Sequence, residues 1–114
     1  MVILMELISK EKLLEFIKND EVTVINVLAS FAYTEEHIKG SISMPFNILE
    51  DGGWNKLDQK KPVVPYCAGK TCHASRRAGE ILESHGMKVY VYEGGISEWR
   101  DSGLPMEGEK YNRK

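Results

Sequence analysis

The sequence predicts an α/β fold: one domain built on a mostly parallel sheet with helices on both faces. Three observations predict it. Short apolar runs (Val22 to Leu28, Pro62 to Tyr66, Lys88 to Tyr92) alternate with segments whose apolar residues recur at helical spacing. Val22 to Leu28 is nearly continuous in β-branched and apolar residues, as expected of a parallel strand covered on both faces. The chain of 114 residues is long enough for one core and too short for two.

Each element has its own signal. Val2 to Leu7 has strand character, and Ser9 is placed to cap a helix from Lys10 to Lys18 in which Leu13, Leu14 and Ile17 share a face. Asn19 and Asp20 end it. After the Val22 strand, Ser30 to Gly40 has room for one or two helical turns stopping at the glycine, and Ser41 to Pro45 reads as a short strand. Asn47, with Glu50 three residues on, resembles a capping box for a short helix that Gly52 and Gly53 interrupt. Trp54 to Lys61 is polar enough for a surface connection. The Pro62 strand leads to a helix over Ala74 to Ser84, which Gly86 ends; Lys88 to Tyr92 is a further strand. Gly94 and Gly95 turn the chain into a last helix, with Ile96 and Trp99 on its apolar face, and Gly103 and Pro105 stop it. The domain is expected over residues 1–106, with residues 107–114 a charged tail that frays.

Composition narrows the function classes. At 42% hydrophobic and 28% charged residues, with a net charge of −2, the chain has the balance of a soluble globular protein and no general attraction for nucleic acid or anionic membrane. Its apolar N-terminal run, Met1 to Met5, is far shorter than the ~20 residues of a membrane span, and a cytoplasmic location with reduced thiols is expected.

The chemistry concentrates in Pro62-Val-Val-Pro-Tyr-Cys-Ala-Gly-Lys-Thr-Cys-His-Ala-Ser75, which holds both cysteines. Cys67 falls at the C-terminal end of a strand and just before a helix. In open α/β sheets that is where loop N–H groups and the positive end of a helix converge on a ligand. A thiolate there is expected to be exposed and held as an anion by main-chain dipoles. The plainer reading of Cys67 is a buried core thiol. Cys72 is a candidate resolving thiol or sulfur carrier, or simply a small residue at a helix start. His73 either lowers the thiol's pKa or is a solvated loop histidine. Arg76 and Arg77 either attract an anionic substrate or form the solvated face of a helix.

Other chemistries fit poorly. Cys67, Cys72 and His73 fall short of the four ligands of structural zinc, with only His37 and His85 left as partners, so no metal and no cofactor is expected. Gly69-Lys70-Thr71 resembles the end of a phosphate-binding loop, but Val64 stands where its first glycine belongs. Cysteine-dependent phosphatase or arsenate reductase chemistry wants an arginine where His73 stands. Trp99, Ile96 and His37 read as packing residues, and Trp54 as cover for an apolar edge.

Three stretches in order resemble the rhodanese family of single-domain sulfurtransferases. Val89-Tyr-Val-Tyr-Glu-Gly-Gly-Ile-Ser-Glu-Trp-Arg-Asp-Ser-Gly-Leu-Pro105 is similar to its closing strand, double glycine and tryptophan. Glu36-His-Ile-Lys-Gly-Ser-Ile-Ser-Met-Pro45 resembles its Gly-His-Ile-x-Gly motif, with Glu36 in place of the first glycine. Tyr66-Cys67 followed by Ser75-Arg-Arg-Ala-Gly-Glu-Ile-Leu82 resembles its catalytic cysteine and following helix. The resemblance covers Ser9 to Glu107. It implies a five-stranded sheet and a nucleophilic Cys67 that carries sulfane sulfur as a persulfide. The donor would be small (thiosulfate, polysulfide or a persulfide), the acceptor a thiol, cyanide or a protein. It also implies that the loop Ala68, Gly69, Lys70, Thr71, Cys72 and His73 surrounds that sulfur with N–H donors.

Three departures stand out. The loop is two residues longer than usual, with Ser75 at the family's serine and Ala74 where its arginine would be; Lys70, His73, Arg76 and Arg77 are candidates to replace that charge. Asn26-Val27-Leu28 occupies the place of an Asp-Val-Arg, removing an ionic pair. Pro65 cannot donate a ladder hydrogen bond, so an irregularity is expected just before Cys67. The alternative function these departures favour is a non-catalytic interaction or thiol redox-sensing module using Cys67 and Cys72.

Overall fold

A computed structural model describes residues 5–113, so Val2 to Leu4 of the first expected strand lie outside the described residues. Five short parallel strands run in the order β4-β2-β5-β6-β1: β4 is Ser41–Ser43, β2 Thr23–Asn26, β5 Val63–Tyr66, β6 Tyr90–Val91 and β1 Glu6–Leu7. The join between β5 and β6 is the weak one. Val63 N–H reaches the Lys88 carbonyl at 3.0 Å, but Pro65, two residues on, has no N–H to offer. The next contact, Tyr92 N–H to the Pro65 carbonyl, stretches to 3.5 Å. Pairing here is reduced to one bridge, Val63 opposite Val89.

Side chains of these strands alternate between two apolar layers, which is why both faces had to be covered. Ile25, Val27, Val63 and Cys67 pack under α3 (Phe46–Glu50) and α4 (Ala74–Ser84), with Leu49, Ala78 and Leu82 as the facing side chains. Val22, Val24, Val64 and Tyr66 face the opposite layer, where α1 (Lys10–Lys18) and α5 (Gly95–Asp101) contribute Leu13, Ile96 and Trp99. Ser9 caps α1 as its sequence predicts, its hydroxyl accepting from Lys12 N–H at 3.1 Å.

Three local expectations differ from the structure. The helix after β2, α2 (Ser30–Glu35), stops well before Gly40, because His37–Ile38 leaves it as β3 to pair antiparallel with β7 (Met106–Glu107) and bury Ile38 completely. Asn47 caps nothing: Pro45 precedes the first turn of α3 and its carbonyl accepts from Leu49 N–H, placing Asn47 inside the helix. The segment expected to fray is tied down. Beyond β7, Glu109–Tyr111 forms a 3-10 turn; Lys110 and Tyr111 reach Glu36, and Arg113 pairs with Glu35. Glu36 also takes Arg100 at 2.9 Å, which gives a physical use to the residue that replaces glycine in the motif.

Near the sheet's rim, where Asn26-Val27-Leu28 removes an ionic pair, a neutral network stands. Asn26 Nδ2 and Ile38 N–H both donate to Tyr66 Oη at 3.1 Å. Ser41 Oγ donates to the Ile38 carbonyl, so the Tyr66 hydroxyl proton goes to Ser41 Oγ at 2.7 Å. Asn26 Oδ1 accepts from Leu28 N–H at 2.9 Å, turning the chain out of β2. Tyr66 and Asn26 are fully buried, so each bond replaces one that water can no longer supply. Tyr66→Phe leaves two buried donors without an acceptor and is expected to cost about 1–3 kcal/mol, read as a lower urea midpoint with an unchanged slope.

Candidate active site at the cysteine loop

Cys67 follows the last residue of β5, and its loop is held from behind by α5. Ile96 N–H donates to the Cys67 carbonyl and Ser97 N–H to the Ala68 carbonyl, both at 3.0 Å; the Ser97 hydroxyl adds a bond to Ala68 O at 2.9 Å. Gly95 makes this approach feasible. Its φ is +62°, and a Cβ there would stand 2.4 Å from the Cys67 carbonyl oxygen and 2.7 Å from Gly69 N. The loop then folds back through a turn in which Cys72 N–H donates to the Gly69 carbonyl at 3.0 Å. This return brings Cys72 onto Cys67, whose Sγ–H donates to the Cys72 carbonyl at 3.3 Å.

The first turn of α4 completes the surroundings. Ser75, 2% exposed, offers Cys67 both its N–H and its hydroxyl, while the N–H groups of Ala74 and Ala68 face the Cys72 sulfur. Main-chain donors lie beside both sulfurs near the start of α4. They are divided between two sulfurs, however, and this overturns the expectation of an exposed, anionic Cys67. Cys67 is only 1% exposed, and burial pushes its thiol up, reinforced by the neighbouring Cys72 and opposed by Ser75. Cys72 is only half buried. Burial acts against its charged form too, but hydrogen bonds from the Cys67 thiol and the two alanine N–H groups outweigh that and bring its pKa down. Both are free thiols of one loop, and their surroundings move them in opposite directions, Cys67 up and Cys72 down, so the first proton leaves mainly from Cys72.

Beside Ala68 opens a groove of about 700 Å³, floored by Leu28, Phe31, Ala32 and Ile96 and edged by Glu36 and Arg100. Phe31 stands 80% exposed over it. Most of the segments that shape it, those after β2, β5 and β6, follow the C-terminal end of a parallel strand, the usual ligand-binding edge of such sheets; Glu109 comes from the turn after β7.

The model of the rhodanese-like domain family matches residues 9–102. The chain belongs to the rhodanese-like domain family. It is 32% identical over 100 residues to the HTH-type transcriptional regulator Rv0324 of Mycobacterium tuberculosis, covering 88% of this chain but only 44% of the regulator. It is 29% identical over 87 residues to the thiosulfate sulfurtransferase GlpE of Coxiella burnetii, covering 75% of this chain and 78% of GlpE. A rhodanese-related protein of Thermoplasma volcanium superposes with a TM-score of 0.79 at 30% identity over 90% of this chain and 97% of that one. The fold is thus the rhodanese-like one, and the relatives that share it include a thiosulfate sulfurtransferase and part of a transcriptional regulator.

Within this rhodanese-like site the structure sorts the expected residues. Cys67, Ala68, Cys72 and Ser75 come together. Lys70, Thr71 and His73 are exposed on the outer side of the loop. Arg76 and Arg77 are committed elsewhere: Arg76 pairs with Glu93, and Arg77 lies over the Phe46 ring, 5.3 Å from its centre, so steering an anion from those positions loses its support. Arg100, at the groove's edge, escaped the sequence reading because its helix position looked like ordinary surface. Gly95 and Ser97 were read only as turn and helix, since nothing local in sequence signals that they grip a loop nearly thirty residues upstream.

The two thiols should therefore separate by pH. With iodoacetamide and peptide mapping, Cys72 is expected to alkylate with the lower apparent pKa. Cys67→Ala should move Cys72 upward by removing a hydrogen-bond donor to its thiolate, whereas Cys72→Ala should bring Cys67 downward from its raised value. Equal profiles for the two thiols in the wild type, unmoved for the remaining thiol in either variant, would contradict this pairing.

Proposed function

We propose that this chain is a sulfurtransferase that moves sulfane sulfur from a small donor to a thiophilic acceptor through a persulfide on Cys67. The observation that carries the reading is the meeting of the Cys67 sulfur with the Ser75 hydroxyl and N–H at the start of α4, at the groove-bearing edge of the sheet. Similarity to GlpE, whose name gives thiosulfate as its substrate, supports the class of reaction.

Chemically, Cys67 attacks the donor's outer sulfur. A new S–S bond forms on Cys67 Sγ as the donor's own bond to that sulfur breaks, and the remainder of the donor (sulfite from thiosulfate, a thiol from an organic persulfide) leaves with the bonding pair. Cys67 is the protonated partner at rest, and Cys72 is its hydrogen-bonded neighbour and the more acidic of the two. Cys72 therefore takes the Cys67 proton as the attack develops; where Cys72 is replaced, water takes it, from a Cys67 thiol that the neighbouring Cys72 no longer holds up. An acceptor thiol, a cyanide ion or a protein cysteine then takes the outer sulfur and returns the electron pair to Cys67. Ser75 and the helix N-terminus stabilise the charge on Cys67 in both steps.

A second reading, a non-catalytic interaction or thiol redox-sensing module, is favoured by two free cysteines joined through the bond from Cys67 Sγ to the Cys72 carbonyl and by the likeness to part of a transcriptional regulator. One experiment separates them. After anaerobic incubation with thiosulfate, polysulfide or an organic persulfide, intact-mass measurement of Cys72→Ser is expected to show one added sulfur atom, absent when Cys67 is also replaced by serine. If no donor adds sulfur, yet a mild oxidant joins Cys67 to Cys72 in the wild type, the sensing module is the correct reading.

A further inference from the structure

Building on the sulfur-transfer reading, we infer that the loop carries a second activity: reductive release of the bound sulfur as hydrosulfide, with Cys72 as the resolving nucleophile. Two observations place Cys72 for it. The Gly69 to Cys72 turn folds the loop back on itself, and the Cys67 Sγ–H donates to the Cys72 carbonyl at 3.3 Å. What Cys72 touches is the inner sulfur, Cys67 Sγ itself. The transferred atom of a persulfide lies one bond further out, so attack by Cys72 falls on the inner atom and not on the outer one.

The step balances without an external acceptor. Cys72 Sγ forms a bond to Cys67 Sγ while the bond from Cys67 Sγ to the outer sulfur breaks. The outer sulfur leaves with that electron pair, takes the proton that Cys72 received from Cys67, and departs as HS⁻. Sulfane sulfur is reduced to sulfide and the two cysteines are oxidised to a disulfide. A cellular dithiol reductant then returns both thiols by thiol-disulfide exchange, so that over a full cycle the dithiol supplies the two electrons. The N–H groups of Ala68 and Ala74, which favour a thiolate at Cys72, supply the nucleophile. Partial exposure of Cys72 leaves its side of the disulfide open to the reductant.

The test is a single turnover with the reduced 114-residue chain and inorganic polysulfide under anaerobic conditions, with no added thiol, following intact mass and hydrosulfide. Wild type is expected to release hydrosulfide in proportion to protein and to end two hydrogen atoms lighter, with a Cys67 to Cys72 link on peptide mapping. Cys72→Ser and Cys72→Ala are expected to end one sulfur atom heavier and to release no hydrosulfide above the polysulfide background. If wild type retains the added sulfur as those variants do, the resolving role is overturned while sulfur transfer stands. Should neither wild type nor the variants take up sulfur, the transfer reading falls, and this inference with it.

Discussion

The carbonyl groups that follow β5 are bound by the first turn of α5, and the position of both sulfurs depends on that junction. Pro65 cuts the ladder between β5 and β6, so neighbouring strands cannot hold the end of β5 as tightly as a full parallel pair would. Ile96 and Ser97 take over, gripping the backbone of Cys67 and Ala68 from one side. Helix α4 begins on the other side and presents its unpaired N–H groups to the sulfurs. Two helix starts thus share one loop, one satisfying its acceptors and the other supplying its donors. Gly95 is the residue that lets them meet, because any side chain there would occupy the loop's own space.

The main elements could be read from sequence where local chemistry and tertiary packing agree. The cap at Ser9, the limits of α4 at Ala74 and Ser84, and the doubly buried run through β2 all follow from short-range rules that the fold does not override. The failures have a common cause. Helix α2 ends early because Ile38 is needed in a core partly built by residues from the other end of the chain. The tail is ordered because Glu35 and Glu36 receive Arg113 and Lys110 from more than seventy residues away. Cys67 was located correctly but given the wrong environment. Position at a strand end predicts donors nearby, yet only coordinates reveal that a second cysteine has folded over the first and taken part of them.

The absent loop arginine changes what the site can use to stabilise an anion. A guanidinium supplies a full positive charge that persists whatever the geometry, whereas main-chain N–H groups and a neighbouring S–H stabilise charge only at the atoms they face. Here those atoms are the two sulfurs. The nearest arginine at the groove, Arg100, is engaged by Glu36, and Arg76 by Glu93, so neither offers a free positive field to the loop. Substrate charge must therefore be accommodated by the same few dipoles that hold the thiolate.

That constraint explains why a proton shared between two thiols suits this loop. With one proton on the pair, the site carries a single negative charge, which the N–H groups of Ala68, Ala74 and Ser75 can stabilise. A second charge in the same half-buried space would meet like-charge repulsion, and the raised position of Cys67 expresses its burial together with that penalty. Moving the proton from Cys67 to Cys72 changes which sulfur is nucleophilic but leaves the total charge unchanged. Persulfide formation also preserves it, since the leaving group carries away the charge that the donor brought. The longer loop thus replaces a fixed cation with a mobile proton, and Cys72 is the group that makes the exchange feasible.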